Sequence, residues 1–325
     1  MTLMKAASPY VKTEFTVYSM MRNVLLALLA LLIVPIVKYG FRPLIVAGAS
    51  VLTAAVCHVI FCLVRRKNIS VTEISPLVTG LMIPMLLPLN TPIWLPCAAS
   101  AFAVFVVREP FGGFGRNPFN PAAAGVAFAS LCWPTQVFTY FDPTRSASFP
   151  LFGDGTFDIA SSPSAVLKEG FKPDVLPLNM LWGNIPGPLG STAILVVGAC
   201  GILLFLSRTA KPEATICFLG AAALIAAMFP RILCSPLTSV KYELLSGSLF
   251  FSSVFMVTDP VTSPRTFPGR CLYGAFAGAM TMAFRWFGAF EQGACFALLT
   301  ANAAAPIMDT IVFWFRGWEG KTDEV

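Results

Sequence analysis

Charge is what this chain has least of. Only 12% of its 325 residues are charged, about half the share of an ordinary soluble domain. With a mean hydropathy of +0.75, that shortage excludes a soluble enzyme, a disordered chain and a nucleic-acid binder. Histidine is almost missing: His58 stands alone inside an apolar run, so a haem held by two histidines is excluded, and a packed neutral imidazole is the expected role. Nine cysteines are spread from Cys57 to Cys295 without one C-x-x-C pair. Iron–sulfur and zinc sites need thiolates at short spacing, so no metal site is expected and these cysteines read as small hydrophobes. A Walker loop is missing too, as is a G-x-G-x-x-G after a strand, which removes the nucleotide-binding folds. Met1 to Glu14 is polar, and no small-residue cleavage site follows the first apolar run, so no cleavable leader is expected.

What the chain does have is apolar runs, each approaching the ~20 residues that cross a bilayer. They lie near Val24–Val37, Leu44–Val64, Leu77–Leu89, Ile93–Val107, Pro121–Phe138, Gly190–Leu206, Ala214–Phe229, Leu244–Val257, Leu272–Phe287 and Ala294–Phe315. Proline interrupts several, at Pro84, Pro88, Pro96, Pro121 and Pro306. Broken helices at membrane depth are tolerated where they line a site or cavity. The fold class expected is therefore an all-α polytopic membrane protein of about ten spans, several of them broken.

Basic residues orient the runs. With the N-terminus inside, 14 of the 22 Lys and Arg fall on the inner face and eight on the outer, as the positive-inside rule demands; Arg65-Arg66-Lys67 is the firmest anchor. Both termini are then cytoplasmic. The expected division is a cytoplasmic segment 1–23, a first membrane repeat 24–139, an outer loop 134–188, a second membrane repeat 189–315 and a cytoplasmic tail 316–325. The outer loop is rich in Pro, Gly, Ser and Asp, and a long loop in so economical a chain points to function.

The two repeats are read from echoes. Leu77-Val78-Thr79-Gly80-Leu81 resembles Leu244-Leu245-Ser246-Gly247-Ser248, and Phe111-Gly112-Gly113-Phe114 resembles Phe287-Gly288-Ala289-Phe290. Five spans separate each pair. An odd number inverts the second half relative to the first, the inverted-repeat architecture whose sites lie between the halves.

The densest motif runs from Arg108 to Gly125, R-E-P-F-G-G-F-G-R-N-P-F-N-P-A-A-A-G. Its Asn120-Pro121 step reads as an N-cap and first helical residue, with free N–H groups at the helix start; Arg116 stands four residues earlier. In the second half Met256-Val257-Thr258-Asp259-Pro260-Val261-Thr262-Ser263-Pro264 is another proline-punctuated turn. The acids Asp259, Glu291 and Asp309 lie within or at the ends of spans, and helix-end capping is the expected role of each.

Together with Thr79–Pro84, Trp182–Ala193 and Gly269-Arg270, these motifs resemble the D subunits of the Rnf complex, a family homologous to the B subunit of the Na⁺-translocating NADH:quinone oxidoreductase. The resemblance covers about residues 15 to 315 and implies a fold of two inverted five-span repeats similar to urea transporters. It implies a membrane subunit of an ion-translocating ferredoxin:NAD⁺ oxidoreductase, with no catalytic residue of its own, in a bacterial or archaeal inner membrane. The partners implied are the other Rnf subunits (A, B, C, E and G) and the lipid bilayer. Ferredoxin and NAD would be met through other subunits, and Na⁺ or H⁺ would be exported. The quinone-linked B subunit and a flavin-free channel are the rival readings.

The resemblance also implies a flavin. In the family FMN is esterified through its phosphate to a threonine of the outer loop, in a motif like S-G-A-T-P-L-A. Here the matching stretch is Ile159 to Ala165, which places Ser162 at the threonine position, flanked by Ser161 and Pro163. Ile159, Ala160, Ser161 and Ser164 depart from the pattern. The cofactor expected is thus FMN on Ser162, with Asn120 and Arg116 as further binding residues, and a second, non-covalent flavin beside it. Read without the family, Ser161-Ser162-Pro163-Ser164 is a turn with an N-cap before a short helix at Ala165–Glu169.

Overall fold

Apolar residues exceed what one interior can hold, and the helices resolve the surplus by facing two ways. The computed structural model describes residues 16–66, 73–113, 115–143 and 158–322, with side chains to 315. Most of the expected 1–23 segment, Lys67, the centre of the outer loop and the tail's side chains lie outside the described residues. Helix α1 (Val17–Tyr39) starts at a capping box in which Thr16 and Ser19 satisfy each other's backbone N–H,. It buries Leu28, Leu31 and Leu32 while Leu26, Leu29, Ile33 and Val37 stay exposed. Helix α2 (Arg42–Val64) divides likewise, with Leu52, Val56 and Leu63 outward and Ser50, Ala54 and His58 inward. An exposed face of aliphatic side chains is what lipid as solvent selects, and the small buried residues of α2 let its neighbours approach closely,.

Helix α3 (Ser75–Met85) has 11 residues, a reach of ~16 Å, about half the hydrocarbon core. Helix α4 (Trp94–Phe102) continues into a π-helical turn at Ala103–Arg108. Helix α5 (Pro121–Cys132) ends where Trp133 leaves helical backbone ahead of Pro134,, so the run read as a span to Phe138 is shorter and finishes in the single turn α6 (Pro134–Val137). The strands β1 (Tyr140–Phe141) and β2 (Ile159–Ala160) pair antiparallel, Tyr140 opposite Ala160. Two short helices, α7 (Pro163–Lys168) and α8 (Pro177–Trp182), complete the described part of the outer segment.

The second half comprises α9 (Ile194–Leu206), α10 (Pro212–Met228), α11 (Pro236–Leu245), α12 (Leu249–Phe255), α13 (Phe267–Phe287) and α14 (Ala294–Thr322). The run expected as one span at Leu244–Val257 is instead broken: α11 and α12 meet at Ser246-Gly247-Ser248, where Gly247 has φ +66°. A Cβ there would stand 2.8 Å from the Ser164 hydroxyl, so the break requires glycine for both conformation and space.

By length and composition α1, α2 and the Ala294–Phe315 part of α14 can cross a membrane, and shorter apolar helices surround them. The chain is an all-α integral membrane protein with several broken helices. In the first half α2 packs on α3 and α4, and α4 on α5; in the second α10 packs on α11, α12 and α13, and α13 on α14. The halves meet where α1 packs on α9 and α5 on α14. Backbone bonds from Leu189 to Leu87 and from Gly190 to Met85, both 2.9 Å, tie the end of the outer segment to the end of α3.

Candidate functional site

The residues singled out from the sequence fall in two places, at opposite ends of α5. Its 12 residues span ~18 Å, with Asn120 at the start and β1, which leads to the Ser162 region, beyond the end.

Beyond the end of α5, Ser162 precedes Pro163 and caps α7, its hydroxyl accepting from the Ala165 N–H at 3.1 Å,. The predicted cap is therefore present, and the helix begins two residues earlier than expected. The same hydroxyl donates to Glu291 Oε2 at 2.8 Å. Burial pushes the Glu291 carboxyl up, and hydrogen bonds from Ser162, Tyr140 and Gln292 hold it back,. Gln292 donates to the Tyr140 hydroxyl at 2.7 Å. Behind this lies a buried ion cluster: Glu243 takes Arg231 Nε at 2.5 Å and Arg285 Nη1 at 2.9 Å. Arg285 Nη2 also donates to the Ser246 carbonyl at 2.8 Å, pinning the α11–α12 break. Ser161 is exposed and Pro163 buried.

At the inner place, Asn120 caps α5 with its Oδ1, accepting from the N–H groups of Ala122 and Ala123 at 3.0 and 3.2 Å. The Asn-Pro reading holds in detail. Asn120 lines a cleft of about 690 Å³, its open mouth included, which lies between the halves. Met20, Met21, Val24, Val78, Met82, Leu204, Val254 and Phe255 give it apolar walls; Arg108, Asn117, Thr79, Thr209, Thr258 and Asp259 supply polar groups. Burial raises the Asp259 carboxyl to about 6, against the opposing hydrogen bonds of Val261 N–H and the Thr262 hydroxyl,. Arg116 is exposed and is not among the residues lining the cleft.

One cluster behind this cleft escaped the sequence reading. His58 Nδ1 lies 2.8 Å from Glu109 Oε1, and Nε2 3.7 Å from Glu73 Oε2. Arg108, in the π-helical turn, pairs with both carboxylates: Nη2 with Glu73, and Nη1 with Glu109 at 3.4 Å. His58, Glu109 and Arg108 are all buried. The ligand atoms of His58, Glu73 and Glu109 lie within 4.8 Å of one another, but the guanidinium among them supplies the positive charge a cation would bring. The available signal was an Arg-Glu pair and a lone histidine at membrane depth, where ionisable groups need partners. Of the three acids read as helix-end caps, Asp309 accepts from the N–H groups of Arg265 and Thr266 at the start of α13. Glu291 instead holds Ser162.

The model of the NQR2, RnfD, RnfE family matches residues 4–313, which takes in the cleft, its Arg108–Gly125 signature and both turns. This chain belongs to that family. It is 28% identical over 316 residues to the D subunit of the Na(+)-translocating ferredoxin:NAD(+) oxidoreductase complex of Acetobacterium woodii, covering 95% of this chain and 93% of that one. The D subunit of the proton-translocating ferredoxin:NAD(+) oxidoreductase complex of Clostridium ljungdahlii is 26% identical over 313 residues, with 94% and 92% covered. The D subunit of the ion-translocating oxidoreductase complex of Tolumonas auensis is 27% identical over 333 residues, with 94% and 96% covered.

The flavins that the Rnf resemblance implies can be tried against these two places. A phosphoester on Ser162 does not fit. Ser162 is 2% exposed and its hydroxyl already donates to a carboxylate, so anionic phosphate oxygens would stand against Glu291 in a closed site. The inner cleft does fit a non-covalent flavin. Its apolar walls suit the faces of a flat ring, and a small number of convergent polar groups suits its edge,.

Proposed function

We propose that this chain is the membrane subunit of an ion-translocating ferredoxin:NAD⁺ oxidoreductase and holds a non-covalent flavin in the cleft between its halves. The observation that carries the reading is the coincidence of the family signature with that cleft: Arg108, Asn117, Asn120 and Asp259 come from both halves and converge on one apolar slot. A flavin bound there would supply one- and two-electron transfer. The chain's own part is to bind and orient it. Met20, Met21, Met82 and Phe255 exclude water from the ring, while the rigid start of α5, fixed by Asn120, sets one edge of the slot.

Ferredoxin and NAD⁺ would be met by other subunits, which fits a chain without a cysteine cluster or dinucleotide fold. The similar neighbour sets of α2–α5 and α10–α14 are consistent with two repeats, which the sequence echoes read as inverted. The arginine and lysine distribution supports an inner-membrane placement with both termini cytoplasmic. Relatives of nearly equal similarity are named for Na⁺ and for protons, so the coupling ion is left as either. Deleting the chain from the assembled complex should abolish NAD⁺ reduction by reduced ferredoxin and the accompanying ion export, and restoring it should return both. Full export without the chain would reject the assignment.

A further inference from the structure

We propose that Arg108 is the ligand-binding donor of the inner cleft, and that His58, through Glu109 and Glu73, is the positioning residue that holds it there. The proposal rests on the flavin reading above and extends it to the role of the one charge-bearing donor in the cleft wall. Arg108 is 1% exposed and forms part of the cleft wall. Its Nη2 is taken by Glu73. Its Nη1 faces Glu109 at 3.4 Å as an ion pair without a hydrogen bond, and neither Nη1 nor Nε has an acceptor among the described residues. A guanidinium carries five donors, and buried donors left unmade cost free energy that native sites rarely tolerate without a ligand or water.

Several other polar groups of the cleft already have protein partners. Thr79 donates to the Ser75 carbonyl, Asn117 to the Phe119 carbonyl and Thr258 to the Val254 carbonyl. Asn120 caps α5, and Asp259 accepts from Val261 and Thr262. Arg108 is the one cationic residue in the lining of the cleft, its Nε and Nη1 are buried without a hydrogen-bond partner among the described residues, and acceptors brought by a ligand would satisfy them. A flat heteroaromatic ring edged with carbonyl oxygens meets that demand between the apolar walls.

His58 matters because it touches both carboxylates that hold the guanidinium. The π-helical turn widens the backbone at Ala103–Arg108, a feature that re-aims side chains at functional sites, and Arg108 and the imidazole of His58 meet the same two carboxylates, Glu73 and Glu109. Without His58, Glu109 loses its 2.8 Å partner and Arg108 is free to follow Glu73 towards the surface.

The test uses lumiflavin, the bare flavin ring, titrated by fluorescence quenching into the full chain after purification in detergent and removal of bound flavin. Wild type should quench it. Arg108→Met should weaken binding about tenfold, the loss of one charged hydrogen bond, and Arg108→Lys should recover part of it. His58→Leu should weaken binding several-fold and His58→Gln, which keeps a donor for Glu109, should restore it, with melting temperature matched between these two. Should Arg108→Met fail to fold, the lysine and His58 variants carry the test. Equal affinity in wild type, Arg108→Lys and His58→Leu would overturn the role of Arg108 and leave the flavin reading standing. No quenching by wild type would overturn both.

Discussion

Replacing Ser162 by alanine is the perturbation whose cost can be worked from the structure in most detail. The hydroxyl makes two hydrogen bonds, as acceptor from the Ala165 N–H and as donor to Glu291. Loss of a serine N-cap costs ~1 kcal/mol. Loss of the donor to a buried carboxyl adds ~1–2 kcal/mol, because Glu291, 7% exposed, cannot recover water in exchange. The two terms sum to about 2–3 kcal/mol, an upper bound because both bonds share one atom. Ser162→Thr, which keeps the hydroxyl, should stay within ~0.5 kcal/mol, and so should Ser161→Ala at its exposed position. Equilibrium unfolding of the detergent-solubilised chain measures all three, and the intact mass of the wild-type polypeptide should equal that of its sequence. A change below ~0.5 kcal/mol for Ser162→Ala would refute the latch to Glu291. A wild-type mass raised by one FMN less water, lost in Ser162→Ala, would refute the argument that the closed, carboxylate-bearing site cannot carry a phosphoester.

Glu243→Ala removes the only acid shared by Arg231 and Arg285 among the described residues and should cost ~3–5 kcal/mol, as broken buried ion pairs do, read as a shift in the same unfolding midpoint. Asn120→Ala orphans two N–H groups at the start of α5 and should cost ~1 kcal/mol, visible as earlier melting with the fold retained. For Asp259 the folded carboxyl sits at about 6 against an ordinary value of 3.8. A raised value means stability that is complete below the unfolded value and is lost as pH rises through the folded one. Wild type should therefore weaken between about pH 4 and 6, and Asp259→Asn should flatten that limb of the pH–stability curve. In a cysteine-free background, Lys172→Cys should react with an impermeant thiol reagent from outside the cell; reaction only after permeabilisation would reverse the orientation.

The sequence by itself determined the solvent, the fold class and the local caps. Apolar runs and scarce charge require lipid whatever the packing, and Thr16, Asn120 and Ser162 cap because the residues a few places on supply their partners. Family membership was legible for a similar reason, since the Arg108–Gly125 signature is contiguous. Helix breaks were only half legible: Pro84 punctuates openly, but the run read through Pro134 to Phe138 ends at Cys132, and the interruption at Gly247 depends on Ser164 and Arg285 standing where a side chain would go, both distant in the chain. The tertiary structure alone decided which charges meet. Ser162 and Glu291 are 129 residues apart, His58 and Glu109 are 51 apart, and no local pattern marks either pair. In a low-dielectric interior each such group must find a partner, but which one it finds is set by how the helices cross, a property that the chain specifies only as a whole.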